Sequence, residues 1–165
     1  TKIRHSKSSM TPLKFVPFLL SHIFHAEDDV RFRAVQMFSH HAEPQVRRAG
    51  LECLNRGELE VGIELLRRSA TSDDSQAILA ALVRNNGKIT DNSHGITSGL
   101  VHLMEANGAI REPLIPLYVY ENSQCMMCRE SAMKTLIQWG MCPEWLIEEA
   151  ASDASESIRE LTRSV

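Results

Sequence analysis

The sequence predicts an all-α fold, an α-α superhelix of about five antiparallel helix pairs that forms a short solenoid. Three observations support this prediction. Helix start and stop signals recur along the whole chain. Apolar residues between these signals repeat at the spacing of a helix, about 3.6 residues per turn. No stretch shows the alternation of apolar and polar residues between turn signals that a half-buried strand would require.

Proline and glycine mark the predicted helix boundaries. Four prolines stand where the first turn of a helix tolerates them: Pro12, Pro44, Pro113 and Pro143. Three glycines, each shortly after an asparagine, are typical helix stops: Gly57, Gly87 and Gly108. Asp153 and Glu156 have the spacing of a capping box. The predicted helices cover residues 12–25, 28–41, 44–56, 58–70, 73–86, 94–106, 113–121, 124–139, 144–151 and 153–164.

Each predicted helix has one apolar face. In the third, Val46, Ala49, Gly50, Cys53 and Leu54 stand at positions i, i+3, i+4, i+7 and i+8. Nearly the same spacing occurs in the helix before it, with these residues: Val30, Ala34, Met37, Phe38 and His41. Helices this short cannot bury a face alone, so they must stack on one another.

Composition and charge narrow the class of protein. Apolar residues make up 43% and charged residues 24%, with a net charge of −3. Residues 1–83 hold 11 Lys/Arg against 10 Asp/Glu, whereas residues 84–165 hold 7 against 11.

Residues 1–10 are predicted to be a flexible basic arm and residues 11–165 a single domain. The longest apolar stretch, residues 15–20, is too short to cross a bilayer. With four cysteines, a reducing, cytoplasmic setting is expected.

A short motif recurs, in which an apolar residue and an arginine are usually followed, four residues after the apolar one, by a small residue. It occurs at Val30-Arg31, Val46-Arg47, Cys128-Arg129 and Ile158-Arg159. Before two of these, proline follows two apolar residues, in residues 15–20 and 114–119. In these features the chain resembles the HEAT-repeat family, which pairs a proline-containing A helix with a B helix that opens on Asp and Val-Arg. Residues 15–38 match best, and the resemblance covers about two thirds of the chain.

The HEAT resemblance implies structural roles for several charged residues. In that family, aspartates of the turn and arginines of the B helix form a ladder between repeats. The residues that would belong to such a ladder here are Asp29, Arg31, Arg47, Arg129 and Arg159. The iron-binding hydroxylases of the family use His-Glu dipeptides, and this sequence contains none.

Cys125 and Cys128 have the only spacing typical of a metal or redox site. A zinc site commonly needs four ligands, and Cys142 and His102 would have to come from other helices. Because cysteines three residues apart share one helix face, core packing is the favoured interpretation, and we expect no metal and no cofactor. The sequence contains neither a Gly-x-Ser-x-Gly motif nor a phosphate-binding loop. No enzymatic activity is therefore expected.

The predicted function is that of a protein-interaction module or scaffold, because stacked helix pairs present a long concave surface. The outward residues of the two best B helices are mixed in charge, which suits a protein or peptide partner: Arg33, Gln36, His40, Glu130, Lys134 and Gln138. The alternative is nucleic-acid binding, as in DNA-repair-like HEAT proteins, through the arginine-rich first half. Its candidate patch is Arg47, Arg48, Arg67 and Arg68, although acidic residues are interleaved with these arginines.

Overall fold

The computed structural model describes residue 18, residues 20–85 and residues 93–163, and the predicted arm at residues 1–10 lies outside this part of the chain. Nine α-helices occur in the described residues: α1 (Asp28–Phe38), α2 (Pro44–Arg56), α3 (Leu59–Ser69), α4 (Ser75–Asn85), α5 (Ser93–Ala106), α6 (Leu114–Asn122), α7 (Met126–Trp139), α8 (Glu144–Ala150) and α9 (Glu156–Thr162). Two 3-10 turns, Ser21–Phe24 and Ser72–Asp74, complete the secondary structure of those ranges. The all-α prediction is confirmed.

Most helix boundaries follow the predicted signals. α2 begins at Pro44 and is followed by Gly57 at a φ of 84°, a left-handed conformation that glycine adopts without strain. The first predicted helix, residues 12–25, is only partly described, and its described end is the 3-10 turn Ser21–Phe24. α1 ends at Phe38, three residues before the predicted end.

The predicted capping box at Asp153 and Glu156 is wrong. The cap residue of α9 is Ser155, and Asp153 lies before the helix. One oxygen of the Asp153 carboxylate accepts the Ser155 backbone N–H at 2.8 Å, and the other accepts a hydrogen bond from Arg129. Arg129 thus takes the carboxylate that the local pattern assigned to the helix cap.

Alternate helices pack side by side. α1 contacts α3, α3 contacts α5, α5 contacts α7, and α7 contacts α9. We call these five helices the inner row. Connecting helices pack against the row, because α2 contacts α3, α6 contacts α7, and α8 contacts α9. Among the described residues, no helix is long and apolar enough to cross a membrane.

The core consists of two clusters of buried apolar side chains. The larger extends from Leu54 to Ile158 and is continuous through α3, α5, α6 and α7. The smaller lies around Phe38 and Cys53 at the N-terminal end. Met37, which the apolar stripe placed in the core, is 39% exposed, and Val35 is buried instead. The apolar stripe of α2 is buried as predicted.

Two arginine–aspartate pairs join one helix to the turn before a later helix. Arg47 on α2 donates from Nε and Nη2 to the carboxylate of Asp74, at 2.7 and 2.6 Å. Asp74 is only 2% exposed and belongs to the 3-10 turn before α4. Arg129 on α7 donates from Nη2 to one carboxylate oxygen of the buried Asp153, which precedes α9. Both arginines therefore link elements of the fold that are distant in sequence.

The other ladder residues bond locally. Arg31 pairs with Asp28 three residues earlier, at the exposed start of α1. Arg159 donates to the backbone oxygens of Asp153 and Ala154. Asp29 is exposed in the first turn of α1. These three residues do not bridge distant helices through the bonds described here.

Candidate functional site

A groove of about 470 Å³ runs across α1, α3 and α5 of the inner row. Its walls come from three sets of residues: Asp28, Arg31, Phe32, Val35 and Gln36 of α1, Glu60, Val61, Glu64 and Arg67 of α3, and Gly95, Ser98, Gly99 and His102 of α5. The volume lies within the range of ligand pockets, about 300–1,000 Å³. Side chains from three helices therefore converge on this groove.

Two glycines of α5 allow this helix to approach α3 closely at the groove. A Cβ at Gly99 would lie 3.2 Å from Cγ2 of Ile63, and one at Gly95 would lie 2.6 Å from Oε1 of Glu60. The matching order of these contacts along both helices shows that α3 and α5 run parallel. Phe32 stands at the opposite wall with 62% of its surface exposed. An exposed aromatic ring facing a glycine-lined wall leaves room for an apolar side chain of a ligand.

The charged residues of the groove are mostly paired within one helix. Arg31 bonds Asp28, and Arg67 bonds Glu64 at 3.3 Å. The Glu60 carboxylate forms no ion pair with any described residue and lies beside the first turn of α5, whose helix dipole favours a negative charge. Three carboxylates against two arginines give the groove a net charge of −1 when His102 is neutral. Both the net charge of the groove and the charge of Glu60, which has no ion pair among the described residues, are therefore negative.

The predicted contact residues are only partly brought together. Gln36 lines the groove, and Arg33 is exposed on the same helix outside its lining. His40 lies in the turn after α1 rather than on the helix, because α1 ends at Phe38. Glu130, Lys134 and Gln138 lie on α7, the helix of the inner row that follows α5, beyond the groove. Lys134 bonds Glu130 at 2.5 Å and, with Ser157, holds the pKa of that carboxyl below its ordinary value.

The four arginines of the alternative patch lie at one end of the α2–α3 hairpin. Gly50 meets Leu66 and Gly62 meets Leu54, so the two helices are antiparallel and Arg48 comes near Arg68. Arg48 and Arg68 are exposed. Arg47 is held by Asp74, and Arg67 turns into the acidic groove. Two of the four arginines are therefore committed to carboxylates of the protein itself.

A second cluster brings together His94, Cys125 and Cys128, whose ligand atoms all lie within 4.8 Å of one another. His94 is the second residue of α5, Cys125 is the cap residue of α7, and Cys128 lies one turn into α7. The Sγ of Cys128 lies 3.9 Å from Nδ1 of His94. We call these three residues the thiol–imidazole cluster. It stands where the first turns of α5 and α7 meet.

The two thiols of the cluster differ in acidity. The pKa of the Cys125 thiol is lowered, chiefly by a hydrogen bond from the backbone N–H of Cys128. The thiol of Cys128 and the backbone N–H of Met127 lower it as well. Burial raises the pKa of the Cys128 thiol, and the neighbouring Cys125 adds to the effect. Burial also raises the pKa of the thiols outside the cluster, that of Cys53 to about 12. Cys125 is the only one of the four cysteines whose pKa is lowered.

Sequence reasoning missed His94 as a partner of the cysteines. It offered Cys142 and His102 instead. His102 lies two turns away on α5 and lines the groove, and Cys142 follows the far end of α7. The prediction of stacked helices already contained the information needed to find His94. Parallel helices of one row bring their first turns together, and His94 and Cys125 both fall at the start of a predicted helix.

Comparison with known proteins adds no relative that could identify either site. Set against models of protein families, curated proteins and solved structures, the chain shows no significant match.

Proposed function

We propose that the chain is a HEAT-like helical-repeat module that binds a segment of another protein in the groove across α1, α3 and α5. The observation that carries this proposal is the groove itself, in which Phe32 is exposed and Glu60 has a carboxylate without an ion pair among the described residues. The inner row of α1, α3, α5, α7 and α9 is the arrangement that an α-α superhelix of about five helix pairs presents on its concave side. A reducing, cytoplasmic setting fits four cysteines that are all free thiols.

The groove chemistry defines the partner segment. Phe32, Val35 and Val61 supply an apolar wall for one bulky side chain. Glu60 of α3, whose carboxylate lies beside Gly95 of α5, supplies a negative charge for a lysine or arginine of the partner. Aromatic anchors of this kind contribute most of the binding energy in protein interfaces, whereas charges at the rim set specificity. The partner is therefore a peptide segment with a basic residue close to a bulky apolar one.

The charges of the groove favour a peptide over a nucleic acid. Duplex affinity comes from neutralising phosphates with free lysines and arginines. The groove carries a net charge of −1, and its arginines are already paired with carboxylates. Of the four arginines in the predicted patch, only Arg48 and Arg68, at the end of the α2–α3 hairpin, are exposed for nucleic-acid contact. Two phosphate contacts support only weak, salt-sensitive binding, no tighter than about micromolar at physiological salt.

A random-peptide display selection on the full chain tests the proposal. Selected peptides should share a basic residue and a bulky apolar residue, and their affinity should fall at least about tenfold for the variants Phe32→Ala and Glu60→Lys, which is the loss of about 1.4 kcal/mol of binding free energy. Val83→Ala is the matched control, because Val83 is 72% exposed on α4 and lies outside the groove. Its affinity should equal that of the unchanged chain.

Three results would contradict the proposal. Selection could yield no shared sequence, the groove variants could bind the selected peptides unchanged, or a labelled DNA duplex could bind more tightly than any peptide. Duplex binding that Arg48→Glu and Arg68→Glu abolish would replace the peptide partner with a nucleic acid.

A further inference from the structure

We propose that the thiol–imidazole cluster is a zinc site, in which Nδ1 of His94 and the Sγ atoms of Cys125 and Cys128 bind one Zn²⁺ ion and solvent takes the fourth position. This inference is independent of the proposed peptide groove. It also departs from the expectation that the sequence pattern gave, in which the two cysteines served only core packing.

The ligand atoms are already close to the separations that zinc requires. With Zn–S bonds of about 2.3 Å and Zn–N bonds of about 2.0–2.1 Å, tetrahedral geometry places the ligand atoms about 3.6–3.8 Å apart. The Cys128 Sγ to His94 Nδ1 distance is 3.9 Å, and no pair in the cluster exceeds 4.8 Å. Each pair of ligand atoms therefore has to approach by at most about 1 Å to reach the tetrahedral separations.

Hydrogen bonds hold the two contributing elements together. The hydroxyl of Thr97 on α5 lies 3.2 Å from that of Ser123, in the segment just before α7. The same Ser123 hydroxyl accepts the backbone N–H of Cys125 at 3.2 Å. Thr97 and Ser123 are both buried. This chain of contacts fixes the start of α5, which carries His94, against the start of α7, which carries both cysteines.

Core packing does not account for the whole cluster. It explains the buried Cys128, which joins the larger core cluster. It does not explain why an exposed imidazole turns its Nδ1 toward that sulfur, or why two buried hydroxyls border the same place. A disulfide between Cys125 and Cys128 would use the two sulfurs and leave the imidazole without a role. A metal ion uses all three groups.

The donor set matches zinc in chemistry and in charge. Two thiolates and one imidazole form a soft and borderline set, and zinc takes these donors in tetrahedral sites. On binding, Zn²⁺ replaces the two thiol protons, which leave to solvent, so the two thiolate charges balance the charge of the ion. The Nε2 of His94 keeps its proton on the exposed side of the ring. Because His94 is exposed, water can reach the fourth position, as in zinc sites with three protein ligands.

Metal titration of the full chain tests the site. The protein is purified under reducing conditions without metal-affinity resin, treated with a chelator that is then removed, and titrated with zinc sulfate against a chromophoric chelator. We expect one zinc per chain and a higher melting temperature when zinc is bound. Cobalt(II) in place of zinc should give the thiolate charge-transfer band and the strong visible bands of tetrahedral cobalt.

Variants assign the ligands. His94→Asn is the decisive change because His94 is exposed, so the fold survives its replacement. It should weaken zinc binding at least about tenfold, since even an outer partner of a metal ligand has an effect of that size. Cys125→Ser should do the same and reduce the thiolate-to-cobalt band. Cys142→Ser and His102→Asn, the residues that sequence spacing offered as ligands, should leave zinc affinity unchanged.

Several outcomes would overturn the proposal. They are a stoichiometry well below one zinc per chain, zinc affinity that His94→Asn does not change, or a cobalt complex without thiolate bands. Loss of zinc binding in Cys142→Ser or His102→Asn with a normally folded protein would also overturn it, because the site would then lie elsewhere.

Discussion

The two helix crossings on either side of α3 are built differently. Toward α2, glycine meets glycine: a Cβ at Gly62 would lie 2.6 Å from Cδ2 of Leu54 and 3.0 Å from the backbone oxygen of Gly50. Toward α5, a Cβ at Gly99 would lie 3.2 Å from Cγ2 of Ile63, and one at Gly95 would meet the end of the Glu60 side chain. The first crossing is closed by backbone and buried leucine along its length. The second is closed by the buried Ile63 at Gly99, but at Gly95 it is bounded by a flexible carboxylate and opens into the groove.

The α2–α3 crossing stabilises the fold, whereas the α3–α5 crossing borders the proposed binding groove. The α2–α3 crossing is closely packed, and the Arg47–Asp74 pair further ties α2 to the turn before α4. Its geometry leaves no room for a ligand. The α3–α5 crossing keeps charged and exposed side chains at its edge, where the groove lies. The predictions below use stability as the measure of the first crossing and binding as the measure of the second.

The largest effect is expected at the closed crossing. Gly62→Val places branched carbon atoms where Leu54 and the backbone of Gly50 already lie, so the helices must separate. Overpacking of this kind should lower the free energy of unfolding by about 3 kcal/mol. Urea denaturation followed by circular dichroism measures it. Gly108→Ala is the control, since a Cβ there has no neighbour within 4 Å, and an equal loss in both variants would refute the tight crossing.

The next effect concerns the pair that fixes α2. Arg47→Ala leaves the buried Asp74 carboxylate without its bidentate partner and should cost about 1–3 kcal/mol of unfolding free energy. Arg31→Ala on the groove side removes an exposed pair with Asp28 and should cost less than about 0.5 kcal/mol. Denaturation of both variants under one condition gives the comparison. Equal losses would mean that the Arg47 pair contributes no more than a surface pair.

A smaller effect appears on acidification. Burial acts to raise the pKa of Asp74, but the bonds from Arg47 and the Thr71 backbone N–H outweigh it and hold the pKa below its ordinary value. Between the folded and unfolded pKa values, the unfolded chain binds more protons, so stability rises with pH in that interval. The contribution of Asp74 is complete above about pH 4 and is lost as pH falls through the folded pKa.

The variant Asp74→Asn isolates this contribution. Its stability should fall less steeply than that of the unchanged chain from neutral pH to about pH 3, because one linked proton is missing. Denaturation midpoints at matched pH values measure the difference. Parallel curves for the two proteins would show that the pKa of Asp74 does not change on folding.

Helix existence was largely predictable because Pro44, Gly57 and the apolar stripe of α2 act locally. Predictions failed where a side chain bonds a residue distant in sequence instead of taking the role that its neighbours in sequence indicated. Arg129 removed Asp153 from its expected cap, and Asp74 removed Arg47 from the expected basic patch. His94 was missed for the same reason, since its neighbours Cys125 and Cys128 are more than thirty residues away in sequence. Residue spacing predicts what a helix buries, but not which residue on another helix it meets.

The smallest effect on stability is expected at the open crossing, with Gly95→Ala. The added Cβ would meet the Glu60 carboxylate at 2.6 Å, and that flexible group can move aside into the groove. Alanine in a helix is favoured over glycine by about 1 kcal/mol, which offsets the displacement, so the unfolding free energy should change by less than about 1 kcal/mol in either direction.

Peptide binding should respond to the same change more than stability does. A displaced Glu60 no longer faces the partner's basic side chain in its original position, so selected peptides should bind Gly95→Ala several-fold more weakly. Gly108→Ala again serves as the control for both measurements. If Gly95→Ala loses stability as Gly62→Val does, then the α3–α5 crossing is as closed as the α2–α3 crossing. If stability and peptide affinity both stay unchanged, Glu60 does not face the bound segment, and the basic residue assigned to the partner is wrong.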